Sequence, residues 1–185
     1  MGYGVMAYAV DIEVLRAPSA FMAEPRDYLD QMVNMSMSMD RPDGFAEALE
    51  ELFFSRPRTG TDGSVYGYAL ESLCERAGTA LPNAYWYPVG ESWFRTVHDA
   101  LGEIGVQFDP GDLVYSGSPV VLPEIVDFPG IGHLAHAELT PVAQALASAD
   151  LSAIADDRVT QSIAEMRDWV RFCADHGYDL VSFYH

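Results

Sequence analysis

Apolar residues recur along this chain in patterns that separate strands from helices. Tyr3 to Val10 is a short, nearly continuous apolar run ended by Asp11, which fits a strand buried on both faces. A brief helix follows Asp11. A second helical stretch spans about Phe21 to Met35 after Pro18-Ser19, with Pro25 either in its first turns or breaking it. Phe45, Leu49, Leu52 and Phe53 mark a third helix, which Asp40 or Asp43 can cap. From Ser64 onward Val65, Ala69, Leu70, Leu73 and Cys74 recur at helical spacing until Gly78. Trp93, Val97, Ala100, Leu101 and Ile104 give another helix, closed by Gly105. Thr140-Pro141 reads as N-cap and first position of a helix through Ala149. Val159, Ile163, Met166, Val170 and Cys173 line one face of a long helix that stops at His176-Gly177, and Leu180 to Tyr184 makes a terminal strand.

The segments between these elements carry turn chemistry. Residues 56–63 read as a loop, 82–90 are aromatic and irregular, and the proline- and glycine-rich stretch 106–132 is a long ordered loop or a set of short strands. No repeat, heptad or linker divides residues 1–185, so one domain is expected. The two terminal strands each need a partner for their backbone groups and are expected to pair with each other. The predicted class is α+β: a mainly helical single domain with a small sheet in which the N-terminal and C-terminal strands are neighbours.

Charge narrows what such a domain does. Ten basic residues, all arginine, face 28 Asp and Glu, for a formal net charge of −18. That surplus repels nucleic-acid phosphates and anionic membranes. The absence of lysine removes a Walker-A phosphate site, a pyridoxal Schiff base, a lysine nucleophile and the kinase strand lysine. No signal-peptide pattern opens the chain and no apolar run reaches the ~20 residues of a membrane span, so a cytoplasmic protein is expected. Cys74 and Cys173 fall on apolar helix faces and read as buried reduced thiols rather than as a disulfide or metal pair.

The candidate chemistry is sparse. Gly130-Ile131-Gly132-His133-Leu134-Ala135 fits G-x-G-x-x-A, but Pro129 precedes it and the expected helix starts too late, so it reads as a turn and no cofactor is expected. His133 and His136, with Glu138 behind them, are the best candidate metal ligands. On an extended segment the two histidines point to opposite faces, and the alternative reading is a pair of hydrogen-bonding side chains at a loop edge. Arg56 and Arg58 flank Pro57 and could clamp a carboxylate or phosphate, or pair with neighbouring acids. His98 reads as a surface or boundary histidine. Met32, Met35 and Met39 fit one helical face packed into the core, although with Met37 they also resemble adaptable protein-binding methionine clusters. Between Arg95 and Arg158 there is no arginine or lysine, while Asp99, Glu103, Asp109, Asp112, Glu124, Asp127, Glu138, Asp150, Asp156 and Asp157 all fall there.

Four segments carry a family resemblance: Tyr8-Ala9-Val10-Asp11, Tyr68-Ala69-Leu70-Glu71-Ser72-Leu73-Cys74, Asp127-Phe128-Pro129-Gly130-Ile131-Gly132 and Val181-Ser182-Phe183-Tyr184-His185. Together they resemble an uncharacterised actinobacterial family of the Streptomyces type with a domain of unknown function. The N-terminal strand, acid and short helix are also similar to YfbM-like bacterial proteins. The resemblance implies a bacterial α+β protein and supplies no catalytic residue; the Met35-Ser36-Met37-Ser38-Met39 alternation departs from the family pattern.

The leading expectation is a small acidic binding or regulatory protein, inhibitor- or immunity-like, that docks a basic partner through its arginine-free stretch. The alternative is an enzyme or small-ligand binder with its site in the 119–138 loop, using His133, His136 and Glu138, with Arg56 and Arg58 as an anion clamp. A homo-oligomer joined through Asn83-Ala84-Tyr85-Trp86-Tyr87 is the third reading.

Overall fold

The apolar runs near the two ends of the chain become the two central strands of the sheet. β1 (Val5–Val10) pairs antiparallel with the last strand along its whole length, from Val5 opposite Tyr184 to Val10 opposite Asp179. The computed structural model describes residues 2–36 and 41–185. Its sheet is antiparallel throughout, with β2 (Thr79–Ala80) on the outer side of β1, and β3 (Gly130–Leu134) on the outer side of β4 (Asp179–Tyr184).

Side chains alternate across these strands, so each face collects its own core. Tyr8, Val10, Ile131, Val181 and Phe183 face a layer built from the first half of the chain: α1 (Ile12–Arg16), α2 (Pro25–Ser36), α3 (Phe45–Phe53) and α4 (Gly63–Ala77). Val5, Ala7, Ala9, Leu134, Leu180 and Tyr184 face a second layer: α5 (Glu91–Glu103), α6 (Asp112–Tyr115), α7 (His136–Ser148) and α8 (Asp157–His176). The aromatic 82–90 segment is irregular, as expected, and is tied to α8. Trp86 is fully buried and its Nε1 donates to the Ser162 carbonyl at 2.9 Å, while the Ala84 and Tyr85 amides donate to the Glu165 carboxylate. Tyr85 and Tyr87 remain partly exposed.

Local signals set most helix ends. Asp62 caps α4 by accepting from Ser64 N at 3.0 Å, Asp156 caps α8, and Gly177 ends α8 in the left-handed region at φ 74°. Pro25 is the first residue of α2, where its missing N–H costs nothing, and Phe21 lies before it in a 3-10 turn. Asp43 does not cap α3. Gly44 occupies that position with φ 81°, the Phe45 amide donates to the Pro42 carbonyl, and Asp40 lies outside the described residues. Met32 is buried but Met35, one turn on, is exposed beside Arg76, so of the predicted methionine face Met32 is core and Met35 is not; Met37 and Met39 lie outside the described residues.

Two corrections concern the segment that was expected to be a turn. Gly130–Leu134 is a strand, and Gly132 lets α6 pass over it: a Cβ there would sit 2.2 Å from the Asp112 carbonyl oxygen and 2.4 Å from that of Leu113. α7 then begins at His136, not at Pro141, which lies inside the helix. The cause is long-range. Asp179 at the head of β4 accepts from His136 N with one carboxylate oxygen and from Ile12 N with the other, both at 2.8 Å, so one side chain serves the N-termini of α7 and α1. Glu138 adds a bond from the Ala135 amide at 2.8 Å.

The cysteines are free and fully buried, and burial pushes both thiols up, Cys173 to about 12 with further help from Asp179. A raised value keeps a thiol protonated and unreactive at about pH 8. Folded protein is therefore expected to resist alkylation at both positions and to label fully in denaturant; rapid labelling of the folded chain, read by mass spectrometry, would contradict this burial. Asp179→Ala removes a bond at the start of two helices and is expected to cost about 2 kcal/mol in urea unfolding, given roughly 1 kcal/mol for a helix cap. A midpoint equal to that of the unmodified protein would rule out the shared cap.

Candidate functional site

The sequence-derived candidates are dispersed. Arg56 pairs with Glu50 at 2.9 Å and lies 5.0 Å over the Phe54 ring, and Arg26 takes the same carboxylate and ring from the other side. Arg58 donates to the Glu51 carbonyl at 2.8 Å and to the Arg56 carbonyl. Both arginines thus tie the 56–60 loop to the end of α3 and do not form an open clamp. His133, on β3, has its Nδ1 2.8 Å from the Gly117 carbonyl. His136 is the first residue of α7, and Glu138 turns back to the Ala135 amide. Among the described residues no group of three or more His, Cys, Asp or Glu side chains is placed to hold a metal ion.

What lies beside β3 is an ordered, protruding loop, residues 116–129. Its base is held by a Gly117 N–H bond to the Ile131 carbonyl and by Ser116, whose hydroxyl donates to the His133 carbonyl and accepts the His133 amide. Its far side rests on α4. A Cβ at Gly63 would sit 2.2 Å from the Glu124 carbonyl oxygen, so the loop backbone crosses the helix at a distance that only glycine permits. Yet the loop exposes apolar side chains: Val121 is 85 % and Val126 90 % accessible. Val121 also lines a cleft of about 510 Å³ with Tyr115, Val120, Leu122, Ile125 and Asp127.

All ten acids between Arg95 and Arg158 are exposed. Several have structural work: Asp109 accepts from Gly111 N, Asp150 from Ser152 N, and Asp156 caps α8. They also crowd one another. Asp112 is pushed above its ordinary value by partial burial and then by the charges of Asp109 and Glu138.

Next to this patch, α5 and α6 enclose a cleft of about 590 Å³ lined by Glu91, Ser92, Phe94, Arg95, His98, Asp109 and Tyr115. His98 faces Asp109 at 3.8 Å rather than its sequence neighbour Asp99, and the Tyr115 hydroxyl donates to Glu91 at 3.3 Å. Burial and Glu91 push the Tyr115 hydroxyl up. A third polar cluster is internal. Glu71, almost completely buried on α4, accepts from Tyr8 at 3.2 Å and has both carboxylate oxygens within 3.1 Å of His185 Nε2. It joins β1, α4 and the residue after β4, and burial together with Glu71 and Glu75 pushes the Tyr8 hydroxyl far up.

Sequence reading missed these groupings for different reasons. Arg95 and His98 on α5 line one cleft with Tyr115 of α6, a juxtaposition that depends on how the two helices pack and leaves no pattern in the chain. Glu71 sits in an apolar helical repeat where a buried acid leaves no local trace; only its partners on other elements reveal it.

No described helix is long and apolar enough to cross a membrane. No curated protein and no solved structure matches the chain. A family model, a domain of unknown function designated DUF7691, matches residues 1–185 from end to end. The surface therefore has to be read from its own chemistry, and the chain belongs to the DUF7691 family of domains of unknown function.

Proposed function

We propose that the protein is a small acidic binding or regulatory domain, inhibitor- or immunity-like, whose 116–129 loop docks a basic partner protein. One observation carries the reading: Val121 and Val126 stand 85 % and 90 % exposed on a loop that the rest of the fold holds in place. Apolar tips on an ordered loop lose less conformational entropy on docking than a mobile segment would, and gain by burial. Charge supplies the other half. Glu124 and Asp127 are exposed on the same loop, and no arginine or lysine lies between Arg95 and Arg158 to offset them. The partner this chemistry fits carries arginine or lysine around one or two apolar side chains, and its association is fast and salt-sensitive. The same reading places the protein in the cytoplasm of an actinobacterium, in keeping with its arginine-only basic residues and free buried thiols.

A lysine-rich amphipathic peptide with leucine anchors tests the mode of docking. Val121→Asp and Val126→Asp each add a negative charge, so attraction by charge alone predicts equal or tighter binding. Docking through the apolar tips predicts about tenfold weaker binding for each, the equivalent of losing roughly 1.4 kcal/mol of buried valine. Glu124→Gln with Asp127→Asn should in addition flatten the salt dependence seen by fluorescence anisotropy. Binding unchanged or tightened in both aspartate variants overturns the proposal.

A further inference from the structure

We infer that the cleft between α5 and α6 binds a small molecule carrying an oxyanion, a carboxylate or a phosphate, on an apolar or aromatic body. Arg16, Arg26, Arg56 and Arg171 each pair with a carboxylate, Arg58, Arg76 and Arg158 bond to backbone carbonyls or sulfur, and Arg167 has a buried Nε without a hydrogen-bond partner. Arg95 has acids four positions to either side on the same helix, Glu91 and Asp99, the spacing at which ion pairs form. It nevertheless makes no ion pair, hydrogen bond or ring contact among the described residues, and it lines the cleft.

The acids that share the cleft are already committed. The Glu91 carboxylate accepts the Tyr115 hydroxyl at 3.3 Å. Asp109 accepts the Gly111 amide at 2.8 Å through the same oxygen that faces His98 Nδ1 at 3.8 Å. An entering anion meets an open guanidinium fork, with His98 and the Ser92 hydroxyl lining the same cleft. The volume, about 590 Å³, suits a small organic molecule. Phe94 and Tyr115, with ring centroids 6.3 Å apart, supply an apolar wall, and Tyr115 is 57 % exposed and able to stack.

This inference is independent of the docking loop. Tyr115 borders both clefts, but Val121 and Val126 do not line this one, so either reading can fail alone.

The probes are benzoate, phenyl phosphate, acetate and inorganic phosphate, titrated into the full chain and followed by NMR amide shifts. Saturable shifts on α5 and α6 are expected with benzoate or phenyl phosphate, at least tenfold tighter than with acetate or inorganic phosphate; the tighter of the two aromatic ligands identifies the anion class. Arg95→Gln should weaken binding at least tenfold and Arg95→Lys less, because lysine keeps the charge but loses the fork. Arg95 is exposed, so both variants should keep the unmodified amide spectrum elsewhere. Arg171→Gln, which lies outside the cleft, should bind as the unmodified protein does. Absence of saturation with all four probes, equal affinity in Arg95→Gln, or an equal loss in Arg171→Gln overturns the assignment.

Discussion

The pairing of β1 with β4 is the constraint on which the molecule depends. Each strand is apolar on both faces and lies near one end of the chain, so neither satisfies its backbone or buries its side chains without the other. Once they pair, the chain between them has to cover two faces. It does so in sequence order, the helices up to α4 on one side and those from α5 on the other. Asp179 stands where this pairing ends and links it to helix initiation, since its two oxygens hold the first turns of α1 and α7. The strand pairing that closes the sheet thus also fixes where helices on both layers begin.

The surface chemistry follows from this closure. β3 can join the edge of β4 only if α6 crosses it closely, which Gly132 permits, and that crossing brings Tyr115 against α5 and sends the next residues outward as the 116–129 loop. The exposed valines, the crowded acids around Asp112 and the cleft at Arg95 are therefore neighbours by construction. They place two kinds of surface side by side: an apolar and acidic loop, and a cleft lined by Arg95. The glycines of α4 are part of the same arrangement, because they let the loop lie against a helix from the opposite layer.

Much of the scaffold was legible residue by residue. Helical spacing found α3, α4, α5 and α8, and the terminal apolar runs found the central strands, because amphipathic periodicity records which face is buried. The start of α7 was not legible, since Thr140-Pro141 carries a strong local signal that a carboxylate 43 residues from His136 overrides. Gly130–Leu134 looked like a turn because its glycines serve a close crossing rather than a bend. Of the proposed site residues, Arg56, Arg58, His133 and Glu138 proved to be engaged with neighbouring backbone, rings or acids, while His98, read as a surface or boundary residue, is exposed and lines the cleft that holds Arg95.

The sequence by itself determined the class of fold, the strands that must meet, the strongly acidic character and the chemistries that an all-arginine chain cannot perform. These are properties of composition and of local period, which survive in one dimension. Tertiary structure alone decided which arginines pair with acids, which acids lie near one another and which apolar side chains remain outside the core. Those outcomes depend on distances between elements far apart in the chain, and charge pairing and burial are set by such distances rather than by the order of residues.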